Sequence, residues 1–197
     1  VEIELDQLTA GMLSLLHPNS HVYAQGYEET YLPDEKFDLA ISNVPFGSYG
    51  VGFSTQKLPR FVKSSIHDFF FANTVALLRP GGIMAFITSR FTMDKKETAF
   101  RRWLAERMDL LAAVRLPYTA FKANAGTEVV TDILFLQKRT VLNAEESSWL
   151  VSIPDTLQNK YGYGQYSVTT NEYYQAHPEM VLGKQLATGS MYRGDMY

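Results

Sequence analysis

The sequence predicts an α/β fold, a buried sheet with helices on both faces, and three observations carry that expectation. Uninterrupted apolar runs such as "FDLAI" and "IMAFIT" fit strands buried on both sides. Amphipathic stretches of helical period alternate with them. At 197 residues and 46% hydrophobic content, the chain is long enough to bury one substantial core.

The elements follow in order. "VEIEL" alternates Val1, Ile3 and Leu5 with acids and reads as a strand. "DQLTAGMLSLLHP" sets Leu8, Met12, Leu15 and Leu16 at helical spacing and stops before Pro18. A short strand near "HVYAQ" leads through an acidic turn into the strand "FDLAISN", then a Gly-, Ser- and Tyr-rich loop to about Pro59. A helix over 65–78 ends at Arg79-Pro80-Gly81-Gly82, where proline and glycine disfavour continuation. After the strand "IMAFIT", "DKKETAFRRWLAERM" predicts one amphipathic helix. Phe100, Trp103, Leu104 and Met108 point inward, while Lys95, Lys96, Arg101, Arg102 and Arg107 point mostly outward. "LLAAVRL" and "VVTDILFLQKR" are the last two strands, separated by a loop containing "FKANAGTE". From Thr140 the pattern weakens, and the Tyr- and Gly-rich remainder predicts a small irregular appendage with at most a short helix at "NEYYQAH". The expected division is therefore 1–139 and 140–197.

Composition narrows the function classes. The net charge of −3 gives no global nucleic-acid signature, so any such contact is local. With no cysteine there is neither a disulfide nor a thiolate metal site, and His17, His21, His67 and His177 have no metal-ligand spacing. The apolar runs are too short to span a bilayer, and a soluble, cytoplasmic domain is expected. No phosphate-binding "GxxxxGKS" loop is present, so a helicase activity would belong to another part of a larger protein.

The chemistry concentrates in "ISNVPFGSYG". Ligands bind beyond the carboxyl ends of strands in an open α/β sheet, and Asn43 ends one. An exocyclic base amine is a poor nucleophile because its lone pair is delocalised into the ring. Two acceptors aimed at its hydrogens favour the tetrahedral form and stabilise charge developing on nitrogen. Asn43 offers a side-chain carbonyl and Val44 a backbone one; Pro45 stiffens the turn, Phe46 offers a flat face, and Gly47 leaves room for close approach. Ordinary turn chemistry is the competing reading.

"SNVPFG" resembles the Asn-Pro-Pro-Tyr/Phe motif of amino-group methyltransferases that use S-adenosylmethionine, above all the N6-adenine DNA methyltransferases. "VEIELD", "LLRPGGIMAFITS" and "AGTEVVTDILFLQKR" resemble further parts of that fold in its type I modification-subunit branch. The whole is similar to the methylase region of helicase-methylase proteins of bacterial mobile elements. The resemblance implies a Rossmann-like methyltransferase sheet, a flipped adenine in DNA as substrate, and a role in restriction-modification. It also implies further domains of a larger polypeptide, a helicase among them. Glu4 would hold the cofactor ribose, Gly26, Tyr27 and Glu28 (or Glu29) its adenine side, and Phe121 would stack on the base opposite Phe46. Val44 replaces the first family proline, keeping the carbonyl and losing rigidity. The family's first strand and glycine-rich loop should precede "VEIELD". The expectation is therefore a truncated domain, inactive by itself, with an unpaired gap between "VEIEL" and "FDLAI". Two alternatives stand beside it: amine or amide methylation on RNA or protein, and a non-catalytic nucleic-acid-binding or assembly module that keeps the fold.

Overall fold

The computed structural model describes residues 1–47, 49–55, 57–143, 147–159, 161–162, 164–188 and 195–196. Strand β1 (Glu2–Ile3), helix α1 (Gln7–Leu16) and strand β2 (Val22–Tyr23) come first, with β1 and β2 paired in parallel. Asp6 caps α1 by accepting from the Thr9 amide at 2.8 Å. The helix forms where its apolar period predicts, but Leu8, Met12, Leu15 and Leu16 are exposed, Leu15 at 85%, and Ala10 alone of the helix is buried.

The main sheet is built from β3 (Phe37–Asn43), β4 (Leu78–Ser89), β5 (Met108–Leu116) and β6 (Thr131–Lys138), in the order β3-β4-β6-β5. β3 and β4 are parallel; β6 runs antiparallel to both its neighbours. Helix α2 (Ile66–Leu77) connects β3 to β4. The Arg-Pro-Gly-Gly stretch does end α2, but it lies within β4 as an irregularity. Phe37 pairs with Leu78 and Leu39 already with Ile83, and Gly81 takes a φ of 79° to make the excursion. A Cβ on Gly82 would stand 2.9 Å from the Arg79 carbonyl oxygen.

The single helix expected over 94–108 is two pieces, α3 (Phe91–Asp94) and α4 (Ala99–Ala105), and Met108 opens β5 instead. The break has a physical reason in Arg101. This residue, expected at the surface, is fully buried, and its guanidinium donates to the carbonyls of Leu150 (2.9 Å), Thr92 (3.3 Å) and Lys95 (2.7 Å) and to Ser152 Oγ (3.1 Å). A continuous helix would tie up the Lys95 carbonyl within its own ladder. Lys95 is extended there, and its Nζ reaches Asp68 at 2.7 Å.

Helix α5 (Lys122–Ala125) sits between β5 and β6. Beyond it, β7 (Ser152–Gln158) and β8 (Gln165–Asn171) form an antiparallel hairpin, followed by α6 (Glu172–Ala176). The short helix falls where expected; the hairpin does not follow from the weak pattern, although Leu157 of β7 and Val168, Thr170 and Asn171 of β8 are buried. Trp149, Leu150, Tyr173 and Tyr174 join the core of the main sheet. The Asn171 amide donates to the carbonyls of Met93 (2.8 Å) and Trp149 (2.9 Å), and its side-chain oxygen accepts from the Tyr173 amide. The short strands β9 (Ala187–Thr188) and β10 (Asp195–Met196) pair with each other.

The two sides of the main sheet differ. Met84, Phe86, Leu134, Leu136 and Ala113 are buried with Phe71 and Val75 of α2 and Phe100 and Leu104 of α4. On the other side, the cross-strand row Ile41, Ala85, Phe135 is partly or largely exposed, Ile41 at 74%.

Candidate active site

Asn43 is the last residue of β3, opposite Ile87 of β4, and the Val44 amide still donates to the Ile87 carbonyl at 3.0 Å. The strand pairing therefore holds the peptide that presents both acceptors. The Val44 side chain packs into the core, a position its branched apolar shape fills, while the Asn43 side chain is exposed and makes no hydrogen bond among the described residues. Pro45 is half-buried, and Phe46 follows with 40% of its surface exposed. One side of the Phe46 ring is stacked on His67 of α2, at 5.9 Å between centroids and 29° between planes. Burial, aided by the Lys95 charge, lowers the His67 pKa, and its buried Nε2 has no partner among the described residues. A Cβ on Gly47 would collide with the Tyr49 ring.

A cavity of about 740 Å³ separates β1 from β3 and brings together Glu4, Gly26, Tyr27, Glu28, Asn43 and Pro45. Its wall from α2 is the stripe Ile66, Phe70, Thr74 and Leu77. Glu4 follows β1 directly; one of its carboxylate oxygens accepts from the Asp6 amide at 2.8 Å, and the other makes no hydrogen bond among the described residues. Tyr27 has its hydroxyl on Thr74 Oγ1 at 2.8 Å and its ring against Phe70, with centroids 4.9 Å apart; burial pushes the phenol up to about 12, so it stays neutral. The Glu28 carboxylate folds back over Gly26, where a Cβ would meet its Oε1 at 2.7 Å. A free carboxylate oxygen, a second acid and a flat phenol fit a nucleoside's ribose and base. Phe46, Gly47 and Phe121 do not line this cavity; Phe121 is half-buried and precedes α5.

His67 and the α2 stripe were not singled out in the sequence. The i, i+4 recurrence of Ile66, Phe70 and Thr74 was a readable signal for the stripe, whereas nothing local marks His67 as the support of Phe46.

Deeper at the same carboxyl edge, Arg115 is buried between Asp132 (2.8 Å) and Asp94 (3.0 Å), with the Tyr174 ring 4.1 Å from its guanidinium carbon. Burial works to lower the Arg115 pKa, and the two carboxylates more than reverse it, holding it well above the ordinary value. Among the described residues no group of three or more His, Asp or Glu could hold a metal, and no helix is long and apolar enough to cross a membrane.

Comparisons with known proteins bear on the fold and the family. The chain is 27% identical over 146 residues to the defense against restriction protein B of Escherichia phage P1, covering 73% of this chain and 6% of that protein. Among solved structures, a modification subunit assigned to a type I restriction enzyme of Vibrio vulnificus superposes with a TM-score of 0.59 at 17% identity, over 83% of this chain and 36% of its own. The M protein of the type I restriction enzyme EcoKI gives 0.53 at 23% identity, over 76% and 33%. A class I S-adenosylmethionine-dependent methyltransferase fold from Listeria monocytogenes gives 0.55 at 18% identity, over 76% and 47%. These likenesses carry the fold, and the chain spans less than half the length of each of these proteins. The N-6 DNA methylase family model matches residues 10–172, and the chain belongs to that family.

Proposed function

We propose that this chain is the base-binding part of an S-adenosylmethionine-dependent methyltransferase acting on N6 of a flipped-out adenine in DNA. The observation that carries the reading is the end of β3: an exposed Asn43 side chain and the Val44 peptide, held by the bond to Ile87, beside a ring already stacked on its far side. In this reading the adenine stacks on the open face of Phe46 and donates its two N6 hydrogens to the Asn43 side-chain carbonyl and the Val44 carbonyl. Glu4 holds the cofactor ribose, and Gly26, Tyr27 and Glu28 bound its adenine. The cofactor, when bound, supplies a methyl group on a positively charged sulfur; the residues here orient the amine and stabilise charge developing on it. Phe121 remains a proposed second stacking residue, reached by movement of the α5 loop.

The gap between β1 and β3 supports a further part of the reading. A strand and loop from elsewhere in a longer polypeptide would fill it, cover Leu39 and Ile41, and complete the methionine end of the cofactor site. That polypeptide, soluble and cytoplasmic, would carry the other domains, a helicase among them, and serve restriction-modification or protection of a mobile element. Asn43→Ala in the longer protein tests the base-binding reading. Turnover on adenine-containing DNA should fall by about 100-fold or more, with cofactor affinity nearly unchanged; unchanged turnover would remove Asn43 from the site.

The second reading is a non-catalytic nucleic-acid-binding or assembly module that keeps the fold without the cofactor. Calorimetric titration of S-adenosylmethionine into the chain and into an upstream-extended form separates the two, since binding by neither form supports the non-catalytic module.

A further inference from the structure

The stretch from Phe46 to Ser65 carries Lys57, Arg60 and Lys63 and no acidic residue, on a chain whose net charge is −3. Elsewhere the cations are mostly neutralised: Arg79, Lys95, Arg107, Lys122, Lys138 and Arg139 each face a carboxylate. Lys57, Arg60 and Lys63 face none among the described residues. Between and beside them stand exposed rings, Tyr49, Phe53 (63% exposed) and Phe61.

This segment is fastened next to the site. The Val51 amide donates to the Lys63 carbonyl at 2.8 Å, Ile66 to Tyr49 at 2.9 Å, and Thr55 to Glu28 at 3.1 Å. A Cβ on Gly50 would stand 2.5 Å from the Lys63 carbonyl oxygen, so the two arms of the loop lie against each other. Unpaired cations interleaved with exposed rings are the surface chemistry that grips a nucleic-acid strand, charge on phosphate and ring on base or sugar.

We propose that the loop from Tyr49 to Lys63 is a DNA-contacting surface, with Lys57, Arg60 and Lys63 on phosphates flanking the target base and Phe53 against a neighbouring base or sugar. This inference names the partner-contacting element of the site proposed above and rests on that reading. An acidic protein would be drawn by the same charge, and a parent chain that fails to bind DNA would point there instead.

The test is fluorescence anisotropy of the whole chain with a labelled DNA duplex across a range of salt concentrations. If each cation meets one phosphate, the slope of log K against log salt should become shallower by about 0.9 per lost contact, close to 2.7 in all, for Lys57→Ala with Arg60→Ala and Lys63→Ala. Lys36→Ala with Arg79→Ala, at the opposite end of β3 and β4, should leave the slope unchanged, and melting curves matching the parent chain would show that both variants fold. A triple variant with the parent slope overturns the proposal, as does a parent chain that does not bind DNA at low salt. The assay counts displaced ions rather than methyl groups, so a longer protein that fails to methylate adenine while the slope change persists would remove the catalytic reading and leave this surface standing.

Discussion

The two sides of the main sheet are made of the same residue types and behave as opposites. On one side Met84, Phe86, Leu134 and Leu136 meet α2, α4 and the chain around Trp149; on the other, Ile41, Leu39 and Phe135 face a cavity or solvent, as do Leu8, Met12 and Leu15 on α1. Hydrophobicity alone therefore does not say what is core. A side chain stabilises the fold only as far as it leaves water, at roughly 25 cal/mol per Å² of apolar surface. The closed side should carry the stability of the chain, and the open side should carry what the chain still has to meet.

Substitutions can break this contrast. The largest effect is expected at Arg101. Replacing it by Met removes the guanidinium from the Leu150 and Thr92 carbonyls, leaves the Lys95 carbonyl to Ser152 Oγ alone, and should destabilise by about 3–5 kcal/mol, measured by urea unfolding. A loss within about 1 kcal/mol would mean that these carbonyls find other donors once the guanidinium is gone.

Next comes a matched pair across the sheet. Leu134→Ala on the closed side should cost about 2–5 kcal/mol, whereas Ile41→Ala on the open side should stay within about 0.5 kcal/mol. Equal losses would show that the open side is packed in solution, by self-association or otherwise, and the chain's mass in solution would then distinguish these cases.

The smallest effect is a pH dependence at the boundary between the two sides. The folded protein holds the His67 pKa below its ordinary 6.5, so the unfolded chain takes up the proton first. Stability from this group is complete above about pH 6.5 and is lost as pH falls toward the lowered folded value. The melting temperature should therefore drop between neutral and mildly acidic pH, and His67→Asn should flatten that part of the profile. An unchanged slope in the variant would assign the acid sensitivity to other groups.

How much of this was legible in the sequence depends on the reach of each signal. The strands "FDLAISN" and "IMAFIT", helix α2, and the placement of Asn43 at a strand's carboxyl end are local consequences of period and turn chemistry, and the structure has them at those positions. The cavity lining also unites Glu4, Gly26, Tyr27, Glu28 and Asn43, residues that only the family resemblance connected. Arg101 was misread because its amphipathic position says "surface", and the carbonyls that hold it inside come from residues up to 49 positions away along the chain. The hairpin at 152–171 was obscured by its polar, Thr-containing strands, whose buried positions pair Leu157 and Val168 with the polar Thr170 and Asn171.

Asn171 also bears on how substitutions in this family should be ranked. Its amide nitrogen serves two carbonyls while its oxygen caps α6, so both ends of the group are used. Aspartate matches asparagine in size and would still cap the helix, but it has no N–H to give and would set an anion against two carbonyl oxygens, close to Asp94. Similarity tables score that exchange among the mildest, while this position turns on proton donors rather than shape. Chemical resemblance between residues and compatibility with a site are here different quantities.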